Sequence, residues 1–107
     1  MVAIKGEVMV KNKSQVLKLI EKETNSIKKY GVKKLGLFGS FARGENKTKS
    51  DLDFVVELNK KTLDSYMGLK FFLEDLFKKH IDLVLIDSIK PRLRRRILKE
   101  VIYAKGL

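Results

Sequence analysis

The chain has 107 residues, is 44% hydrophobic, contains no cysteine and sets 24 Lys and Arg against 13 Asp and Glu, a formal net charge of +11. That length suits one small domain with one core, and that apolar content excludes wholesale disorder. Without cysteine there is no disulfide scaffold and no thiolate zinc site, which fits a reducing, cytoplasmic setting, and no apolar run approaches the ~20 residues of a membrane span.

Residues 1–13, MVAIKGEVMVKNK, lack the apolar core and cleavage site of a signal peptide and read as a short strand or an arm. Residues 14–107 read as a single domain, with no repeat, linker or low-complexity segment. Ser14 can cap a helix that carries Val16, Leu17, Ile20 and Ile27 near one face and ends at Gly31. KLGLF, residues 34–38, is expected as a short buried strand closed by Gly39. After a loop rich in Gly, Ser and charge, DLDFVVEL (51–58) is expected as a second strand. Asp51, Asp53, Val55 and Glu57 would share one face, and Leu52, Phe54, Val56 and Leu58 the other. A helix starting at Thr62 or Asp64 and running to about Lys79 places Tyr66, Leu69, Leu73, Leu76 and Phe77 at helical spacing, and Phe71 and Phe72 widen its apolar face. IDLVLI (81–86) is a third strand. Ser88 and Pro91 open a last helix with Leu93, Ile97, Leu98 and Val101 inward and Arg92, Arg95, Arg96 and Lys99 largely outward.

The fold class expected is α/β (α+β), in the order α-β-β-α-β-α, with a small mixed sheet of about three strands. A short connection favours an antiparallel pair of strands one and two. The helix between strands two and three permits a right-handed parallel crossover. This topology gathers Gly39, Ser40, Asp51, Asp53 and Asp82 on one rim. Carboxylates at i and i+2 on a strand point the same way, and with Asp82 they offer three hard oxygen ligands, a set that favours magnesium or manganese. Gly39 lets backbone approach a ligand closely. Ser40 offers a hydroxyl and an N–H, and a helical turn starting there would aim N–H groups at phosphate. Arg43 or Lys47 could add charge, although Arg43 reads first as an ion-pair partner that shapes the loop. His80 reads as a helix C-terminal residue favoured by the helix dipole, and Glu57 as a solvated strand end. The positive field, dense only in RLRRR (92–96), attracts nucleic acid, nucleotides or an acidic partner, and it also serves solubility.

Leu37-Phe38-Gly39-Ser40, Ala42-Arg43-Gly44 and Ser50-Asp51-Leu52-Asp53 together resemble the signature of the polymerase-β-like nucleotidyltransferases: hydrophobic-Gly-Ser, about ten residues, then Asp-x-Asp, with a third acid on a later strand. The short length and the phrase LFGSFARGE resemble the minimal nucleotidyltransferases. The likeness runs from about Lys33 to Asp87 and, in element order, from about Ser14 onward; it does not account for residues 1–13.

The resemblance implies that Asp51 and Asp53 hold two metal ions and that Asp82 holds the catalytic one and helps activate the attacking hydroxyl. It implies that Gly39 and Ser40, with Arg43 beside them, hold the phosphates. The reaction would pass a nucleotidyl group, AMP from ATP, to an acceptor hydroxyl. Larger relatives carry an acceptor-binding domain that this chain lacks, so the acceptor is expected on another macromolecule. Minimal nucleotidyltransferases are paired, as antitoxins, with HEPN-domain toxins, and some transfer AMP to a toxin tyrosine. The wide apolar helix and the basic last helix are the candidate docking faces, and a homo-oligomer would also fit. Transfer to RNA or to a small molecule, or docking without turnover, stay open as alternatives.

Overall fold

The computed structural model describes residues 10–107. Most of the first thirteen residues, expected as an arm or strand, therefore lie outside the described residues. The first helix, α1 (Lys13–Lys22), is capped by Asn12, whose side chain accepts a hydrogen bond from the Gln15 N–H at 2.9 Å. Asn12, not Ser14, performs the capping; Ser14 sits inside the first turn. The helical run then breaks at Glu23, and a short α2 (Thr24–Lys28) carries Ile27 inward. Gly31, at φ 77°, turns the chain into β1 (Val32–Phe38). There follow α3 (Gly39–Arg43), β2 (Leu52–Leu58), α4 (Leu63–Phe77) and β3 (Ile81–Leu85). A single 3₁₀ turn (Ile86–Ser88) leads to α5 (Pro91–Glu100) and β4 (Ile102–Tyr103).

The sheet has four strands in the order β3-β2-β1-β4, one more than expected. β1 pairs antiparallel with β2, and β2 parallel with β3, as the connections required. The added strand, β4, pairs antiparallel with β1 through Gly36–Tyr103 and Leu37–Ile102. Only two residues long, it gives no periodicity by which a sequence could announce it.

The main core joins the sheet to the helices. Val16, Ile20 and Ile27 pack with Leu35, Leu37, Leu52, Phe54, Val56 and Ile81, and with Leu69, Leu73 and Phe77 of α4. The Phe54 and Phe77 rings lie 5.9 Å apart. Val55, expected on the polar face of β2, is fully buried although outside this cluster. β2 is an interior strand covered on both faces, so its apolar residues run nearly without a break. Thr62 caps α4 through the Ser65 N–H, and Lys78 closes it in the left-handed conformation (φ 53°). The Tyr66 hydroxyl donates to the Leu83 carbonyl at 2.6 Å, tying α4 to the edge strand β3. α5 has no fully buried residue, and Leu93 is exposed; the inward stripe expected there is only half-covered at Ile97 and Leu98. Among the described residues no helix is long and apolar enough to cross a membrane.

Candidate active site

The register of the sheet builds the site. Phe38, the last residue of β1, lies opposite Asp53, and Asp53 lies opposite Asp82. One row across three strands thus holds the end of β1 and two carboxylates. Side chains at matched positions on neighbouring strands stand about 5 Å apart at their β-carbons, so these acids interact directly. The Asp53 carboxyl is raised from its ordinary 3.8 to about 6. Burial is the main cause; the charge of Asp82, a hydrogen bond with Asp82 and the charge of Asp51 add to it, and Arg43 opposes.

Asp51 stands just outside β2 and is exposed, with its Oδ2 3.4 Å from Nδ1 of His80. His80 is therefore a rim residue facing an acid, placed after the Lys78 cap rather than at the end of the helix as expected. Among the described residues no three His, Asp or Glu side chains converge as a ready ligand cluster, because Asp53 and Asp82 face each other while Asp51 meets His80. The donor chemistry still suits a hard divalent cation: three carboxylates, no thiolate, and a half-buried Asp53 facing an exposed Asp82, whose mutual repulsion a cation would relieve.

Phosphate-binding residues would come from α3. Phe38 is extended (φ −137°), Gly39 turns the chain at φ 76°, and Gly44 (φ 74°) ends the helix after one turn. Buried Phe41 and Ala42 root this turn in the core. The Glu45 N–H donates to the Ser40 carbonyl at 2.9 Å and closes it. Gly39 is needed here because the turn packs on Asp53: a Cβ at position 39 would overlap Asp53 Oδ2 and lie 2.9 Å from Cγ. The Gly39 N–H donates to Glu100 Oε2 at 2.8 Å. Arg43 Nη1 donates to both oxygens of Glu100 at 3.2 Å, and Arg43 Nε to Glu45 Oε1 at 2.9 Å. Glu45 first and Glu100 second hold the guanidinium firmly in its charged form.

Lys47, the other cation considered for the phosphates, instead lines a cavity of about 740 Å³ with Lys11, Asn46, Thr48, Lys78 and Lys79. None of the three acids lines it. Lys79 donates to the carbonyls of Thr48 (3.0 Å) and Ser50 (2.9 Å), strapping the loop that delivers Asp51. Glu100 and Lys79 are neighbours of the candidate site that the sequence did not single out, and the contact of His80 with Asp51 did not show there either. Only Glu100 left a signal: an acid on the last residue of a helix opposes the helix dipole and needs a partner elsewhere.

Residues 17–104 match the nucleotidyltransferase domain family. A Methanocaldococcus jannaschii protein provisionally named a protein adenylyltransferase is 43% identical over 75 residues, 69% of this chain and 81% of that protein. The protein adenylyltransferase MntA of Thermococcus cleftensis is 37% identical over 76 residues, 70% of this chain and 77% of its own. A solved structure provisionally described as a minimal nucleotidyltransferase superposes with a TM-score of 0.71 at 34% identity, covering 82% of this chain and 92% of that one. At 20% identity a toxin–antitoxin complex with AMP-PNP shares the fold, with a TM-score of 0.65 over 81% of this chain and 73% of that one. The Gly39–Arg43 turn and the paired acids thus sit within a match that runs almost end to end, and the chain belongs to the nucleotidyltransferase family, in its minimal, MntA-like branch.

Proposed function

We propose that the protein transfers AMP from ATP to a hydroxyl of a partner protein, a tyrosine of a HEPN-domain toxin, and so acts as its antitoxin in the cytoplasm. One observation carries the reading: the Gly39–Arg43 turn packs directly on Asp53, which faces Asp82, so the turn proposed to hold phosphate and a carboxylate pair meet at one end of the sheet. The Ser40 hydroxyl, which makes no hydrogen bond among the described residues, would receive phosphate together with the N–H groups beyond Gly39. Arg43, held by two acids, would face the phosphates as a fixed charge. Asp51, Asp53 and Asp82 would hold divalent cations, magnesium or else manganese, which when bound stabilise charge on the entering and leaving oxygens. Asp51 would leave His80 to complete that set. The acceptor oxygen forms its bond to the α-phosphorus, its proton passes to Asp82, and the bond to the pyrophosphate breaks. The choice of AMP and of a protein acceptor is supported by the relatives named protein adenylyltransferases. The choice of a HEPN partner is supported by a solved complex of a tri-AMPylated Shewanella oneidensis HEPN toxin with its MNT antitoxin, similar in fold at a TM-score of 0.60 and 18% identity.

The test is transfer of label from α-labelled ATP, with magnesium, into a lysate of the source cells, with wild type beside Asp53→Asn. A discrete RNase-resistant band made only by wild type is expected. Label lost to RNase would move the acceptor to RNA, the reading that the exposed arginines of α5 and the lysine-lined cavity would favour. Nucleotide binding without transfer would make the protein a docking subunit.

A further inference from the structure

Glu100 is the last residue of α5, where a carboxylate meets the negative end of the helix dipole, so α5 itself gives no reason for an acid there. Its reason lies 61 residues upstream, where its Oε2 accepts the Gly39 N–H at 2.8 Å. Arg43 Nη1 reaches both of its oxygens at 3.2 Å. The carboxylate thus grips both ends of the five-residue turn Gly39–Arg43 at once, and its side chain is only 21% exposed. Its own position is fixed too. β4 follows within two residues and pairs with Gly36 and Leu37, the residues of β1 that lead to the turn.

We infer that Glu100 is a positioning residue of the nucleotide site: by holding the Gly39 N–H and the Arg43 guanidinium together it sets the turn and the Arg43 charge in the arrangement that receives the phosphates. This rests on the assignment of Gly39–Arg43 as the phosphate turn. Glu100 would act through Gly39 and Arg43, the two residues it holds, rather than by contact with the nucleotide. Hydrogen bonds to a charged group are about twice as strong as neutral ones, and preorganised donors save the cost of ordering them on binding. Glu100→Gln keeps an acceptor for the Gly39 N–H but loses the charge that holds Arg43. Glu100→Ala loses both.

The experiment is magnesium-ATP affinity by calorimetry, and kcat with KM for transfer, on wild type, Glu100→Gln, Glu100→Ala, Arg43→Ala and the double variant Arg43→Ala/Glu100→Ala. Folding is checked by circular dichroism, and Glu100→Gln serves if the alanine variant does not fold. Expected is an ATP affinity about tenfold weaker in Glu100→Ala, the size of one charge-assisted bond, with the glutamine variant between it and wild type. KM should rise more than kcat falls. The double variant should bind no worse than the weaker single one, because the two side chains act as a unit. Wild-type affinity or tighter in Glu100→Ala, or additive losses, would overturn the inference while leaving the nucleotide site in place. Failure of wild type itself to bind ATP would overturn the phosphate-turn assignment and this inference with it.

Discussion

Gly39 and Asp53 are packed so closely that the glycine has no room for a side chain: a Cβ there would overlap the Asp53 carboxylate and lie 2.9 Å from its Cγ. The start of the Gly39–Arg43 turn and Asp53 are therefore one packed unit, formed where β1 ends against β2. Gly39→Ala adds this overlap to the strain of an alanine at φ 76°, and is expected to cost about 2 kcal/mol or more of stability. It should also remove transfer activity by displacing Asp53. Thermal melts and the transfer assay check both, and an active, wild-type-stable alanine variant would contradict the packing argument.

The raised Asp53 carboxyl makes a signed prediction for the metal-free protein. Its folded value of about 6 lies above the ordinary 3.8, so its contribution to stability is fully present below about pH 3.8 and is lost as the pH rises through about 6. Asp53→Asn, neutral at every pH, should therefore gain stability relative to wild type on going from pH 4 to pH 7. Paired melting curves in the presence of a chelator measure the difference. Magnesium should raise the wild-type Tm at pH 7 and have much less effect on Asp53→Asn, because the cation offsets the repulsion between Asp53 and Asp82.

Three residues before the turn, on β1, Gly36 leaves space for the segment that follows α5. A Cβ there would overlap Val101 Cγ1 and lie 3.0 Å from Tyr103 Cδ1. Gly36→Val is expected to push β4 off the sheet and take the Glu100 carboxylate away from the turn. Amide exchange should then quicken at Ala104, whose N–H donates to the Leu35 carbonyl at 2.9 Å. The core beneath α4 should stay protected.

Sequence periodicity and connection lengths revealed most of this fold. The antiparallel step from β1 to β2 followed from a short loop, and the parallel step from β2 to β3 followed from a helix long enough to cross back. The acids and the Gly-Ser pair were legible because their order and spacing place them at one end of the sheet. Asn12 could not be separated from Ser14 as a cap, since both are good caps two residues apart. The full burial of Val55 did not show in the pattern because alternation cannot tell a solvated face from one covered by a neighbouring element. The contacts of Glu100, Lys79 and His80 are tertiary. Each joins residues 29 to 61 positions apart, and no local pattern encodes that.

Tyr66 offers a control away from the Gly39–Arg43 turn. Its hydroxyl holds the Leu83 carbonyl at 2.6 Å on the edge strand. Tyr66→Phe should lose about 1 kcal/mol of stability, read as a fall of several degrees in Tm, while magnesium-ATP affinity stays at the wild-type value.

The central claim is that AMP leaves ATP for a hydroxyl of a partner protein through a site organised by Asp53. Intact-mass spectrometry of the proposed HEPN-domain partner, purified and incubated with magnesium-ATP and either wild type or Asp53→Asn, tests it most directly. The account predicts whole-AMP mass gains on the partner with wild type, mapped by fragmentation to a tyrosine, and none with the variant. An unmodified partner in both reactions, or equal modification in both, would contradict it.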